Sequence, residues 1–235
     1  MTTIGNNLQH VQARIAAACA KYGRPAGAVQ LLAVSKTFGA DAVREAMAAG
    51  QYAFGENYIQ EAVDKITTLQ GHGLQWHCIG PVQSNKSRLV AEHFDWVHTV
   101  DRLKLAERLS TQRPPHLPPL NICLQVNIDG AATKSGVPPA DALALAQQVA
   151  TLPRLRLRGL MTIPEPAPDF VAECAVHMRA KAVFDAIKEG LGSQGPDFDT
   201  LSMGMSADLE AAIRSGSTLV RVGSAIFGGR PTANP

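Results

Sequence analysis

Short apolar runs alternate with amphipathic segments along most of the chain. Residues 31–34 are four consecutive apolar residues, a pattern typical of a strand buried on both faces in a parallel sheet. Before that run, Leu8, Val11 and Ile15 recur at helical spacing, which predicts an amphipathic helix over residues 6–22. The chain is therefore expected to begin with a helix and to continue with a strand.

The same alternation continues to the end of the chain. Further apolar segments predict strands over residues 51–54, 74–79, 94–100, 120–128, 155–163, 200–202 and 217–222. Segments with apolar residues at helical spacing separate them, and Ser84 and Asp101 are expected to cap two of these helices. The longest predicted helix follows the sixth strand and carries apolar residues along one side, namely Val171, Cys174, Met178, Ala182 and Ala186.

Eight predicted strands, each followed by a predicted helix except the last, indicate an α/β fold, a closed (β/α)8 TIM barrel. No change of composition divides the chain, so we expect residues 1–235 to form a single domain with an extra N-terminal helix. The main rival is an open, doubly wound sheet, which usually carries G-x-G-x-x-G after its first strand. Residues 36–39 are Lys-Thr-Phe-Gly instead, which favours the barrel.

Composition and charge narrow the range of functions. The chain has 22 lysine and arginine residues against 20 aspartate and glutamate residues and no basic run, so nucleic-acid binding is not indicated. The four cysteines lie far apart without a C-x-x-C pair, which predicts neither a metal site nor a disulfide framework. The first residues lack the regions of a signal peptide, and no apolar stretch reaches membrane-spanning length. We therefore expect a cytoplasmic protein without membrane contact.

Lys36 stands where the first buried strand ends. In a (β/α)8 barrel, reactive residues sit at the carboxyl ends of the strands. An amine in a partly dry site loses its proton more readily, and a neutral amine is a nucleophile toward carbonyl groups. Lys36 is therefore a candidate for forming a Schiff base. On its own, the position also fits a structural lysine whose stem covers apolar surface.

Small residues collect after the last two predicted strands. Ser202, Gly204 and Ser206 precede a helix, and Gly223 and Ser224 follow the eighth strand. Backbone N–H groups in such positions form an anion site, and barrel enzymes commonly hold a phosphate between these two loops. Individually, these residues also suit turns and helix caps. Together with the lysine across a closed barrel, they predict a ligand with a phosphate at one end and a carbonyl at the other.

Pyridoxal 5′-phosphate (PLP) has this layout, because its aldehyde condenses with lysine and its phosphate is bound by amides. The segments AVSKT (33–37), FGENY (54–58), WHCIGPVQSNK (76–86) and LSMGMSADLE (201–210) resemble characteristic blocks of the pyridoxal phosphate homeostasis protein family, also described as YggS/PROSC-like. The resemblance spans nearly the whole chain. Phe38 and Gly39 depart from the lysine-proline pair that is usual in the family, which affects the shape of the loop.

The resemblance implies a fold similar to the N-terminal barrel of alanine racemase and a role in intracellular PLP (vitamin B6) homeostasis. It implies that Lys36 forms a Schiff base with PLP and that Arg221 faces its pyridine nitrogen. Phosphate contacts are implied for Ser206 and for the amides of Gly223 and Ser224. Further pocket residues implied in the same way are Ser202, Met203, Gly204, Asn57 and His77. For His77, a structural role is an equal alternative. The alternative for Arg221 is an arginine that bonds to carbonyls at the strand ends.

Arg221 argues against strong catalysis at such a site. A guanidinium stays protonated and only donates hydrogen bonds, so a pyridine nitrogen facing it is unprotonated and is a poorer electron sink. Racemases of similar fold take a tyrosine acid from a second domain, and the chain after Gly228 is expected to leave no room for one. A PLP carrier without strong catalytic activity is therefore expected.

Two alternatives to the carrier stay open at this stage. A PLP-dependent amino-acid racemase-like enzyme would show turnover that depends on the lysine. A cofactor-free Schiff-base aldolase would be colourless as purified and would bind a sugar phosphate. For the carrier itself, we expect a monomer with PLP as its small-molecule ligand and transient contacts with PLP-dependent or vitamin B6 salvage enzymes.

Overall fold

Eight parallel strands close into a barrel in which the last strand pairs with the first. The computed structural model describes residues 2–131 and 134–229. The strands are β1 (Gln30–Val34), β2 (Ala53–Glu56), β3 (Gln75–Cys78), β4 (Trp96–Val100), β5 (Leu120–Gln125), β6 (Leu155–Met161), β7 (Thr200–Ser202) and β8 (Leu219–Val222). The predicted (β/α)8 TIM barrel is confirmed.

Helices follow the strands and pack around the barrel. They are α1 (Thr3–Lys21), α2 (Ala40–Ala48), α3 (Ile59–Thr68), α4 (Ser87–His93), α5 (Leu103–Gln112), α6 (Ala142–Ala150), α7 (Phe170–Leu191), α8 (Leu209–Arg214) and α9 (Ser224–Phe227). The helix α1 precedes the first strand as predicted and packs against α2, α8 and α9. The short α9 follows β8, where the spacing of apolar residues predicts no helix. None of these helices is long and apolar enough to cross a membrane.

The strands are buried because helices cover the outside of the barrel and side chains fill its inside. Every residue of β4 is buried. One continuous apolar core joins helices to strands, and it includes Leu8 of α1, Phe54 of β2 and Leu105 of α5. This packing fixes the carboxyl ends of the strands, from which the site is built.

Two predicted helix caps are wrong. The helices α4 and α5 begin after Lys86 and Arg102, and neither has a hydrogen bond from a capping side chain. The carbonyl of Ser84 instead accepts a hydrogen bond from the hydroxyl of Ser87. Asp101 forms an ion pair with its neighbour Arg102.

The helix α7 is turned relative to the predicted apolar side. Val171 and Met178 are 74% and 62% exposed, whereas His177 and Phe184 are buried. His177 Nε2 forms a hydrogen bond with the carboxylate of Asp208 at 2.8 Å. A polar residue can therefore occupy the buried face of α7. Alanines occur on both sides of this helix, and because alanine suits buried and exposed positions alike, they do not mark the buried face.

Candidate functional site

A cavity of about 380 Å³ lies at the carboxyl ends of the strands. Its walls come from the segment after β1, from the loop between β7 and α8, and from the junction of β8 with α9. The predicted site residues that line it are Lys36, Asn57, Ser206, Arg221, Gly223 and Ser224. Lys36, Ser206 and the residues 223–224 therefore open into one common cavity, whereas Ser202 and Gly204 do not line it.

A larger cavity of about 550 Å³ lies elsewhere, between α1 and the segments that lead into β1 and β2. Its walls include Ile15, Cys19, Val29 and Leu31. Reactive residues of (β/α)8 proteins lie at the opposite rim of the barrel, so we assign the site to the smaller cavity.

Two of the predicted pocket residues lie in the barrel interior, outside the lining of the cavity. His77 is 1% exposed, and its ring bonds to Gln75 and His98 at 3.0 and 2.9 Å. Ser202 is fully buried and bonds to His98 and to Arg221. Ser202 thus touches the cavity wall through Arg221, and His77 is connected to that wall through His98 and Ser202.

Two further predicted pocket residues serve the packing of the barrel. Met203 is fully buried in the apolar core. Gly204 has a φ of +97°, and a Cβ atom there would come within 2.4 Å of the Cβ atom of Ala212 in α8. Only glycine combines this backbone conformation with this close approach. Gly204 therefore sets the distance between the loop and α8.

Arg221 is held rigidly in the wall of the cavity. Its Nη1 donates to the carbonyl and the hydroxyl of Ser202, both at 2.8 Å, and its Nη2 donates to the carbonyl of Thr162 at 2.9 Å. The side chain is 4% exposed, and burial lowers the pKa of Arg221 to about 10. The guanidinium remains protonated at neutral pH, so it acts as a fixed cation and hydrogen-bond donor.

The backbone on either side of Lys36 is anchored. Before it, the carbonyl of Ser35 accepts a hydrogen bond from Lys65 Nζ at 2.9 Å. After it, the N–H of Thr37 donates to the carboxylate of Glu61 at 2.8 Å. Thr37 has a φ of +69°, which is unusual for a β-branched residue and is retained only where the surroundings enforce it. These contacts fix the direction in which Lys36 leaves the strand.

A buried ion pair holds in place the side chains that bond to the backbone of Ser35 and Thr37. Lys65 Nζ lies 2.7 Å from both Glu56 Oε1 and Glu61 Oε1, and Ser35 Oγ donates to Glu56 at 2.5 Å. Burial is the largest influence on Glu56 and raises the pKa of its carboxyl group, while Lys65 and Ser35 oppose that shift. We call Ser35, Glu56, Glu61 and Lys65 the Lys65 cluster. The spacing of Glu61 and Lys65 predicts only a surface ion pair on a helix.

Substitution of Lys65 by methionine is expected to lower the free energy of unfolding by about 3–5 kcal/mol, because it leaves the buried carboxylate of Glu56 unpaired. The double variant Glu56→Gln/Lys65→Met should recover part of this loss, since it removes both buried charges. Denaturant unfolding followed by circular dichroism measures both quantities.

The matched control is Lys181→Met, which breaks an ion pair of similar length at the protein surface. Lys181 and Asp185 are 2.6 Å apart, with side chains 38% and 56% exposed. Such pairs contribute about 0.5 kcal/mol or less. An equal effect of the Lys65 and Lys181 substitutions would contradict the structural role of the cluster.

The loop that carries Ser206 is tied down by residues outside the predicted set. Asp208 Oδ1 accepts a hydrogen bond from the N–H of Met205 at 2.7 Å, and His177 contacts its other carboxylate oxygen at 2.8 Å. Arg14 of α1 donates to the carbonyl of Ser206 at 3.2 Å. Asp208 directly precedes α8, but its side chain makes no capping hydrogen bond to that helix, so a capping pattern in the sequence does not predict its contact with Met205. The contact of Arg14 leaves no local trace in the sequence.

Acid is expected to destabilise the fold through His77 and His98. Burial, the largest cause, lowers the pKa of both rings, to about 3 for His77. In the unfolded chain both bind protons near the ordinary pKa of 6.5, so below that pH the unfolded state holds more protons than the folded state. The free energy of unfolding should therefore fall by up to about 1.4 kcal/mol per pH unit for each ring.

Urea unfolding between about pH 7 and about pH 5 measures this slope, in a range above most carboxylate titrations. A free energy of unfolding that is constant across this range would contradict the burial of two neutral rings.

Comparisons with known proteins identify relatives of the whole chain. Residues 6–231 match the family model "Alanine racemase, N-terminal domain". A relative from Pseudomonas aeruginosa is 56% identical over 235 residues, which cover 100% of this chain and 99% of that protein. One from Escherichia coli strain K12 is 54% identical over 233 residues, which cover 98% of each. Both are named Pyridoxal phosphate homeostasis protein.

A solved structure gives a similar result at the level of coordinates. PipY of Synechococcus elongatus, determined with PLP bound, is 38% identical to this chain and superposes with a TM-score of 0.81. The match covers 96% of this chain and 100% of PipY. The likeness therefore extends over the complete barrel.

Proposed function

The chain belongs to the pyridoxal phosphate homeostasis protein family, and from this premise we propose that it binds PLP in the cavity at the carboxyl ends of its strands. In this proposal Lys36 holds PLP as a Schiff base, and the protein acts in intracellular vitamin B6 homeostasis without strong catalytic activity. The observation that carries the proposal is the common cavity of Lys36, Arg221, Ser206 and the residues 223–224.

The polar atoms of the cavity fit the groups of PLP. When bound, PLP supplies an aldehyde that a lysine amine joins reversibly, with loss of water. Thr37 Oγ1 and Asn57 Oδ1 are buried without a hydrogen-bond partner within residues 2–131 and 134–229, and both residues line the cavity. Buried polar atoms are nearly always hydrogen-bonded, so these two suit a polar ligand. The volume lies within the range of about 300–1000 Å³ that is usual for small-molecule sites.

The junction of β8 and α9 suits the phosphate of PLP. The first N–H groups of a helix have no acceptor within the helix, and Ser224 is the first residue of α9. A Cβ atom at Gly223 would lie 3.2 Å from the carbonyl oxygen of Val34, so glycine lets the end of β8 approach β1 closely. These amides lie on the rim that also carries Lys36, and Ser206 completes the anion site from the neighbouring loop.

Two features support a carrier over a PLP enzyme. The fixed guanidinium of Arg221, placed against the pyridine nitrogen, keeps that nitrogen unprotonated and weakens the ring as an electron sink. None of the three tyrosines of the chain, Tyr22, Tyr52 and Tyr58, lines the cavity, so the chain places no tyrosine acid there. Residues 1–235 then act as one PLP-binding unit, a cytoplasmic monomer that passes PLP to other enzymes through transient contacts.

Titration of the purified protein with PLP tests the proposal. We expect a near-visible absorption band of a bound imine that saturates at about one PLP per chain, with turnover of a panel of amino acids at the level of free PLP. The racemase-like alternative predicts steady turnover well above free PLP. Absence of the band at excess PLP would contradict PLP binding through an amine.

A further inference from the structure

A chain of hydrogen bonds crosses the barrel interior behind the cavity. It runs from Arg221 Nη1 to Ser202 Oγ (2.8 Å), then to His98 Nδ1 (3.0 Å). From His98 Nε2 it continues to His77 Nδ1 (2.9 Å), and from His77 Nε2 to Gln75 Oε1 (3.0 Å) at the opposite end of the barrel. All members except Gln75 are at most 4% exposed. The proposed function assigns no task to the two histidines.

Arg221 fixes, from one end, the direction of donation along this chain of hydrogen bonds. A guanidinium has only donors, so Ser202 Oγ must accept from Nη1. The hydroxyl then has one proton to give, and within the described residues its other contact is His98 Nδ1. If His98 donated to Ser202 instead, the hydroxyl proton would be buried without an acceptor. Ser202 therefore donates to His98.

Gln75 fixes the same direction from the other end. Its amide oxygen only accepts, so His77 donates from Nε2. A neutral imidazole has one donor and one acceptor, and His77 Nδ1 therefore accepts from His98 Nε2–H. Both ends assign both rings the neutral tautomer with its proton on Nε2. Burial, which lowers the pKa of both rings, keeps them neutral at neutral pH.

We propose that His98 and His77 are positioning residues for the PLP site, which turn the Ser202 hydroxyl so that its lone pair faces Arg221 and thereby fix the guanidinium in the cavity wall. The inference rests on the proposed function, in which Arg221 faces the pyridine nitrogen. With the hydrogen-bond chain reversed, the hydroxyl proton would be buried without an acceptor and Ser202 Oγ would have to accept from both His98 and Arg221. The histidine tautomers thus set how firmly Arg221 is held.

The tautomers are measurable without any ligand. We expect nitrogen-15 correlation spectra of the histidine-labelled protein, recorded without PLP, to show His77 and His98 with a protonated Nε2 and an unprotonated Nδ1. A proton on Nδ1 of either ring, or a charged imidazolium at neutral pH, would overturn the inference. This result does not depend on PLP binding.

Two substitutions at His98 separate the hydrogen-bond chain from simple packing. The amide of asparagine places a polar atom near the position of Nδ1, whereas that of glutamine places one near Nε2. His98→Asn therefore keeps an acceptor for Ser202, and His98→Gln loses it. Both variants lose the aromatic ring and its contacts with His77 and Trp96, whose ring centroids lie 5.1 and 5.9 Å away. A packing role alone predicts equal effects.

We expect His98→Gln to raise the dissociation constant of PLP about tenfold, the equivalent of one hydrogen bond, and His98→Asn to stay within about threefold of the wild type. The imine absorption band should shift in His98→Gln only. Equal changes in both variants would overturn the inference, and if neither variant folds, the tautomers of the wild type still decide it. A wild-type protein that binds no PLP would count against the proposed function instead. The tautomers would still test the direction of the hydrogen-bond chain in that case.

Discussion

Replacement of Lys36 by alanine is expected to abolish covalent PLP binding and the near-visible absorption that accompanies it. Alanine has no amine, so PLP would be held by non-covalent contacts alone, among them those with Arg221, Ser206 and the residues 223–224. We expect the dissociation constant to rise at least about 100-fold, which corresponds to a loss of about 2.7 kcal/mol. Absorption spectra before and after gel filtration measure the retained PLP.

Lys104 provides the matched control for this substitution. It lies exposed on α5, away from the cavity, and Lys104→Ala should keep the full absorption band. A Lys36→Ala variant that retains a covalent chromophore would show that another amine carries PLP. That result would overturn the role assigned to Lys36.

The second large effect is expected from Arg221→Met. Methionine fills much of the buried volume but donates no hydrogen bond. The carbonyl of Thr162 and the hydroxyl of Ser202 therefore lose the guanidinium as a donor, whereas the carbonyl of Ser202 keeps the N–H of Thr162. Each buried polar group left unpaired costs about 1–3 kcal/mol. We expect the free energy of unfolding to fall by about 3–5 kcal/mol and PLP to bind more weakly, as measured by denaturant unfolding and by PLP titration.

Arg221→Lys separates charge from geometry at this position. An ammonium keeps the positive charge, but it cannot reproduce the planar fork that reaches Ser202 and Thr162 together. We expect the free energy of unfolding of Arg221→Lys to lie between that of the wild type and that of Arg221→Met. A change below about 0.5 kcal/mol in Arg221→Met would contradict the arginine as an anchor of the cavity wall.

The convergence of the site was predictable because strand ends in a barrel share one rim. Ala33 pairs with Val222 in the register between β1 and β8, so Lys36 and the residues 223–224 follow strands that end side by side. The runs of apolar residues placed these strand ends correctly. The rule that reactive residues follow the strands then selected the lysine and the glycine-serine pair.

The same rule could not predict whether an individual side chain lines the cavity or lies below it in the barrel interior. The cavity lining begins at Ile79 after β3 and at Met205 after β7, whereas His77 and Ser202 still belong to those strands. A shift of two or three residues along a strand end moves a side chain from the cavity into the barrel interior. The sequence pattern locates a strand end only within about two to four residues, so it cannot separate these layers.

The Lys65 cluster was hidden for a different reason. Glu61 and Lys65 have the spacing of an exposed helical ion pair, and nothing in α3 marks Lys65 as buried. Its burial follows from Glu56 at the end of β2, which meets Lys65 only after the strand and helix have packed. Long-range pairs of this kind, like the one between His98 and Ser202, are set by the closure of the barrel.

The most direct test of the account locates PLP on the chain. The wild-type protein is loaded with PLP, reduced with borohydride, digested and analysed by mass spectrometry. The account predicts that the added pyridoxyl phosphate mass is found on the peptide that contains Lys36. Recovery of that mass mainly on another lysine, or on none, would contradict the claim that Lys36 and the anion site hold one PLP between them.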